Sequence, residues 1–308
     1  MQITPINDAI GACVDGVDLA AELDDETFAV IHREWLDHCL LLFRGQNLTP
    51  QQLTAFAARF GALEPPPGNE NDLRADAGAD SDKDMWIISN VIENGRPIGA
   101  LGAGEAEWHS DMTYLAVPPT ASVLYGYEVP PIGANTWYAN MYLALENMPD
   151  NLRTKIEGRR ALHNSSYTSA GELRKGMDEV IDARNAPGTM HPMVIKHPET
   201  LRAALFLGRR TNAYIQDLEF KDSEALLDHL WDYCVGSDFV YSHQWQRGDV
   251  LIWDNRSTLH RRDAFDPDQR RILWRCQITG TSLPSAYAAW ASNKPVAASA
   301  MGIRRPGT

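Results

Sequence analysis

Apolar and polar positions along the chain follow two different rhythms. In the first sixty residues the apolar positions recur at helical spacing. "DDETFAVIHREWLDHC" (24–39) starts acidic and carries Phe28, Ile31 and Trp35 on one side, which predicts an amphipathic helix. "LTPQQLTAFAARFG" (48–61) predicts a second helix. Thr49 is its N-cap, Pro50 its first helical position and a glycine its end, with Leu53, Phe56, Ala57 and Phe60 facing inward. Between them "LLLFRG" (40–45) is too short and too uniformly apolar for a helix and reads as a buried strand.

From residue 119 onward short apolar runs alternate with turn residues. Strands are expected at 120–128, 159–165, 192–197, 203–207, 238–243, 249–253, 257–261 and 271–278, interrupted by one helix at 221–235. Segments 62–84, 93–107 and 168–190 are polar and rich in glycine, proline or aspartate, so they read as loops of the length that forms lids or binding loops. Many short strands with few helices predict a mainly β protein with flanking helices (α+β), a barrel or jelly roll. No linker-like break interrupts residues 100–280, so a single domain over 1–308 is expected, with loop or lid segments near 62–107 and 168–190.

Composition narrows the function. A net charge of −13 disfavours nucleic acid as a partner. The most apolar short run, "HCLLLF" (38–43), is far too short to span a bilayer, so no membrane partner is expected. The start of the chain has neither a basic nor an apolar leader region, and the 4 cysteines form no CxxC pair. Together these predict a cytoplasmic protein with reduced thiols, and we expect a homo-oligomer, dimer or tetramer.

"WHSDMTY" (108–114) holds the chain's only histidine followed two residues later by aspartate. In an extended segment residues two apart point the same way, so His109 and Asp111 can face one point. Two histidines and one carboxylate make a facial iron(II) site with open positions. His260, just beyond the apolar strand of "GDVLIWDNRSTLHRR", is the best second histidine, although a hydrogen-bonded core histidine is the ordinary reading of any one imidazole. Arg271 and Arg275 follow in "RRILWRCQI", on one face of a strand with Leu273. Two buried guanidiniums demand anionic partners, and a bidentate fork suits a carboxylate. A solvated edge strand is the plainer alternative.

"WHSDMTY", the threonine of "GANTWYANM" and "WDNRSTLHRRDAFDPDQRRILWRCQITG" resemble the taurine dioxygenase family of iron(II)/2-oxoglutarate oxygenases, as does "LLLFRGQNLTPQQLTAFAARFGALEP". The resemblance runs from about residue 10 to 280. It implies a double-stranded β-helix with Fe(2+) held by His109, Asp111 and His260. It also implies that Thr136 and Arg271 bind the distal carboxylate of 2-oxoglutarate. Oxygen is then the second co-substrate, succinate and CO2 are co-products, and the substrate is hydroxylated. Arg275 matches the family position that contacts an anionic group of the prime substrate. A second dyad, His197–Pro198–Glu199, sits in "HPET", which resembles a structural hairpin turn between two strands in this family. "ISNV" (88–91) is more similar to the phenoxyacetate branch than to the taurine pattern, so the expected substrate is a small anionic sulfonate, alkylsulfate or aryloxyalkanoate. Two other readings stay open: a zinc hydrolase on the same three ligands, which leaves the arginines without a role, and a non-catalytic jelly-roll binding protein, which has no use for the triad.

Overall fold

The computed structural model describes residues 1–65 and 84–287. The part of the expected 62–107 loop that falls at 66–83 therefore lies outside the described residues. Helix α1 (Asp25–His38) starts where the Asp24 carboxylate accepts the Thr27 N–H at 2.7 Å, with Asp25 and Glu26 in its first turn. Acidic side chains are favoured there by the partial positive charge of a helix start. Helix α2 (Pro50–Ala58) opens with a reciprocal box: Thr49 Oγ1 accepts the Gln52 N–H, and Gln52 Oε1 accepts the Thr49 N–H. Phe60 meets Phe28, Trp35 and Phe56 edge-on, with ring centroids 5.0–5.4 Å apart, and so locks the two helices together.

The described residues also form nineteen strands. The larger sheet has the order β1 (Gln2–Pro5), β2 (Ala12–Asp15), β3 (Leu40–Phe43), β17 (Val250–Asp254), β9 (Ala121–Glu128), β19 (Ile272–Ile278), β4 (Met85–Ser89), β7 (Ala100–Leu101). A smaller sheet has the order β16 (Val240–His243), β10 (Thr136–Asn140), β18 (Thr258–Arg262), β8 (Ala106–His109). Three minor sheets pair β12 (Gly188–Pro192) and β15 (Tyr214–Ile215) with β11 (Arg160–Asn164), β13 (Val194–Lys196) with β14 (Ala203–Leu205), and β5 (Ile92–Glu93) with β6 (Arg96–Pro97). The protein is thus mainly β with flanking helices, as expected.

The central strands are apolar on both faces because both faces are covered. Leu41, Phe43, Val123, Tyr125, Val250 and Ile252 pack under α1 and α2. Their neighbours Leu40, Leu42, Leu124, Leu251 and Trp253 point the other way and meet Tyr138 of β10 in the smaller sheet. A third cluster gathers α3 (Met141–Glu146), α4 (Asp150–Ile156) and α5 (Phe220–Cys234) around β11, β13, β14 and β15.

Two expectations needed correction. The 93–107 segment is not all loop: β5, β6, β7 and β8 fall in it. These strands are two to four residues long, too short to show a period of two. The helices α3 and α4 were likewise invisible to periodicity, at 6 and 7 residues. The "HPET" reading holds. His197 is fully buried at the turn between β13 and β14. Its Nε2 lies 2.9 Å from Asp254 Oδ2, and its Nδ1 accepts the N–H groups of Glu199 and Thr200.

Candidate active site

β8 ends at His109, which sits opposite His260 of β18 in the antiparallel register. The imidazole centroids are 4.2 Å apart. His109 Nδ1 is 2.7 Å from the Glu107 carbonyl oxygen. A carbonyl only accepts, so Nδ1 carries a proton there, and Nε2 is the nitrogen turned toward Asp111. His260 is held between the rings of Trp253 and Tyr138, at 4.8 and 6.2 Å. Two residues past His109 the chain turns, and Met112 takes a left-handed φ of 48°. Asn255 fixes that turn: its Oδ1 accepts the Asp111 N–H at 2.7 Å, and its Nδ2 donates to the carbonyls of Asp111 and Pro119.

Asp111 Oδ1 then lies 3.6 Å from Nε2 of both histidines. The three buried groups offer ligand atoms within 4.8 Å of one another. The other oxygen, Oδ2, accepts from Ser122 Oγ at 3.0 Å and from Arg275 Nη2 at 2.5 Å. Burial alone would push the Asp111 carboxyl up, but Arg275 and then the two imidazoles hold it well below the usual carboxylate range. Burial pushes His260 well below the usual imidazole range, against the pull of Asp111. The result is one carboxylate and a neutral imidazole with its lone pair free, the donor chemistry of a divalent transition metal.

These residues line a cavity of about 160 Å³, which also contains Thr136, Arg271 and Arg275. All six residues singled out in the sequence therefore reach one space. Arg271 is only 2% exposed, and its Nε has no partner. Burial, and then the charge of Arg262, push it down to about 9. Its backbone N–H is tied to Asn90 Oδ1, in the "ISNV" stretch. Thr136 Oγ1 accepts from Trp245 Nε1 at 2.9 Å, which leaves its O–H to donate elsewhere.

Arg275 has a different partner from the one expected. The sequence reading gave it an external anion, because a lone buried cation would be costly. The structure supplies that anion internally: Asp111, 164 positions earlier in the chain, compensates it, and Ser122 accepts a further hydrogen bond.

The sequence profile of the Taurine catabolism dioxygenase TauD, TfdA family matches residues 2–277. The chain belongs to this TauD/TfdA family. An (S)-phenoxypropionate/alpha-ketoglutarate-dioxygenase of Delftia acidovorans is 34% identical over 296 residues, covering 91% of this chain and 95% of the relative. An alkylsulfatase of Acinetobacter baylyi is 31% identical, covering 93% and 87% respectively. The crystal structure of AAD-2 in complex with Mn(II) and N-oxalylglycine superposes with a TM-score of 0.74 at 26% identity, covering 92% of this chain and 98% of that one. This TauD/TfdA protein is accordingly an enzyme, a 2-oxoglutarate-dependent dioxygenase.

Sequence reasoning missed several residues of the TauD/TfdA site. Asn255 lies inside "WDNRS", but its role depends on a turn 144 positions away. Ser122 looks like any small residue of an apolar strand. Arg262, Arg209 and Arg174 line the cavity, and only their charge in otherwise buried or looped surroundings marked them.

Proposed function

We propose that this enzyme binds iron(II) through His109, Asp111 and His260, binds 2-oxoglutarate through Arg271 and Thr136, and hydroxylates a small anionic organic substrate with succinate and CO2 as co-products. One observation carries the reading: a neutral-imidazole and carboxylate triad shares its cavity with a buried guanidinium that has no ion pair among the described residues. The metal fits these groups. His109 turns Nε2 toward Asp111 while its Nδ1–H contacts Glu107, and Asp111 Oδ1 is freed because Oδ2 is occupied by Ser122 and Arg275. Iron bound there would supply the activation of dioxygen.

The chain's own groups do the positioning. Arg271 offers its fork to the distal carboxylate of 2-oxoglutarate, and Thr136 donates its O–H to the same group. Asn90 holds the backbone of Arg271, and Asn255 holds that of Asp111. Trp86, Ile88, Leu124 and Trp253 form an apolar wall that excludes water from the reacting carbon. The two facing sheets fit the double-stranded β-helix implied by the sequence resemblance, folded as one domain. The related enzymes named for phenoxypropionate and alkylsulfate support an aryloxyalkanoate or alkylsulfate as substrate. A zinc hydrolase on the same triad would leave Arg271 buried without a function.

The test is succinate formation from 2-oxoglutarate by the iron(II)-loaded enzyme, with phenoxypropionate, hexyl sulfate and taurine offered in turn. Stimulation by at least one of them is expected. Metal-dependent hydrolysis without consumption of 2-oxoglutarate would contradict the reading.

A further inference from the structure

Besides Arg271, Arg275 and Arg262, the guanidiniums of Arg209 and Arg174 line the cavity, outside the proposed 2-oxoglutarate clamp. Arg209 follows β14 and is fixed against the metal-ligand strand. Its backbone forms an isolated bridge with His109, and the carbonyl of Gly208 accepts the Ser110 N–H at 2.9 Å. Gly208 has φ +71°, and a Cβ there would sit 2.2 Å from His163 Nδ1, so only glycine allows this close approach. Arg209 is 8% exposed, and its Nε has no partner. Its Nη1 donates to the Tyr167 carbonyl at 2.5 Å.

Arg174 comes from the 168–190 segment and donates to the same carbonyl through Nε at 3.1 Å. Its guanidinium lies over the Tyr114 ring, 4.6 Å from the centroid. Two cations thus share one neutral acceptor in the wall of a cavity. Neither forms an ion pair among the described residues. Of the two carboxylates near Arg209, Asp111 already pairs with Arg275, and Glu107 accepts from Thr211 Oγ1. Buried arginines outside this cavity have at least two acceptors each among the described residues. Arg256 has Asp254 and Glu199, and Arg153 has the carbonyls of Leu145 and Glu146. Two adjacent like charges, one buried and one partly buried, with no counterion among the described residues, are unfavourable unless an anion is drawn between them. 2-Oxoglutarate cannot fill this need: its distal carboxylate goes to Arg271, and its other end goes to the metal.

We propose that Arg209 and Arg174 form the anion subsite for the prime substrate, taking a carboxylate or sulfur oxyanion while the apolar body lies against Trp86, Ile88 and Leu124. This rests on the dioxygenase reading for the place of 2-oxoglutarate, and it moves the substrate anion from Arg275 to a pair of arginines that form no ion pair among the described residues. Arg174 brings the 168–190 segment into the site, so the segment expected to act as a lid supplies half of the clamp.

The experiment measures equilibrium binding to enzyme loaded with Mn(II) and 2-oxoglutarate, without turnover. The probes are (S)-2-phenoxypropionate, its neutral methyl ester, and hexyl sulfate. The native enzyme should bind at least one of the two anions, and more tightly than the ester. Arg174→Gln should weaken the anion by roughly tenfold or more, the loss of a partly exposed charge-assisted pair. Its affinity for the ester and for 2-oxoglutarate should be unchanged. Arg209→Gln should lose more. Arg174 lies on a half-exposed loop, so its variant keeps the test alive if Arg209→Gln does not fold. Equal weakening of anion and ester, a loss of 2-oxoglutarate affinity in Arg174→Gln, or a native enzyme that binds neither anion would each overturn the proposal. An anion held through Arg174 in a protein that does not bind 2-oxoglutarate would instead keep the subsite and remove the dioxygenase reading.

Discussion

Single residues in this site are under opposed demands. Arg271 is buried with no ion pair among the described residues, so its charge weakens the empty protein, a cost that the proposed binding of 2-oxoglutarate would offset. Replacing it by an apolar side chain of similar length removes an uncompensated charge. Arg271→Met should therefore make the ligand-free protein more stable, by about 1–4 kcal/mol, while abolishing the stabilisation that 2-oxoglutarate gives the native enzyme. Urea unfolding with and without 2-oxoglutarate measures both effects, and a destabilised empty variant would show that Arg271 has an internal role. Asn255 acts one step back, through the backbone of Asp111. Asn255→Ala should weaken metal binding by about 10–100-fold, read by competition with a metal-sensitive dye, with unchanged affinity counting against that role. His109 and Asp111 stood out in the sequence as reactive residue types at a distinctive spacing, whereas Thr136 and the proposed role of Arg271 toward 2-oxoglutarate came only from the resemblance to the family. The partner of Arg275 was not legible: which carboxylate faces it is decided by sheet pairing between distant segments.

At the scale of elements, a buried charge network ties the end of β17 to the turn between β13 and β14. Asp254 accepts from Arg256 at 2.7 Å and lies 2.9 Å from His197, and Arg256 also reaches Glu199. Burial pushes the Asp254 carboxyl up, but Arg256 and then His197 bring it well below its ordinary value. A carboxyl depressed in the folded state stabilises the fold above its unfolded pKa, near ~4. That stability drains away as pH falls below this point toward the folded value. Asp254→Asn should flatten the acid limb of the stability curve and cost about 3–5 kcal/mol at pH 7, because Arg256 then lacks its buried partner. A variant whose stability falls with acid as steeply as the native protein's would place the titrating group elsewhere. The longer helices α1, α2 and α5 were readable beforehand because they span enough residues for a period to register, and the central strands because they are short apolar runs. β5, β6, β7, α3 and α4 were not, being set by pairing and packing rather than by their own patterns.

For the molecule as a whole, the strand frequency announced a mainly β protein, but the order of eight strands in the larger sheet came only from the structure. Pairing of β8 with β18 in the smaller sheet sets His109 beside His260, Asn255 just beyond β17 of the larger sheet holds Asp111, and Arg271 and Gln277 line the same cavity. Among the described residues no helix is long and apolar enough to cross a membrane. A net charge of −13 repels small anions at long range, so their capture depends on the arginines inside the cavity. That cavity is proposed to hold a metal and 2-oxoglutarate side by side. The most direct measurement is an anaerobic titration of 2-oxoglutarate into the iron(II)-loaded enzyme, followed by the visible absorption that arises when a 2-oxo acid chelates iron(II). Native enzyme should give a saturating signal, His260→Ala none, and Arg271→Met a midpoint raised roughly 30- to 4000-fold. No signal from the native enzyme, or an unchanged midpoint in Arg271→Met, would contradict it.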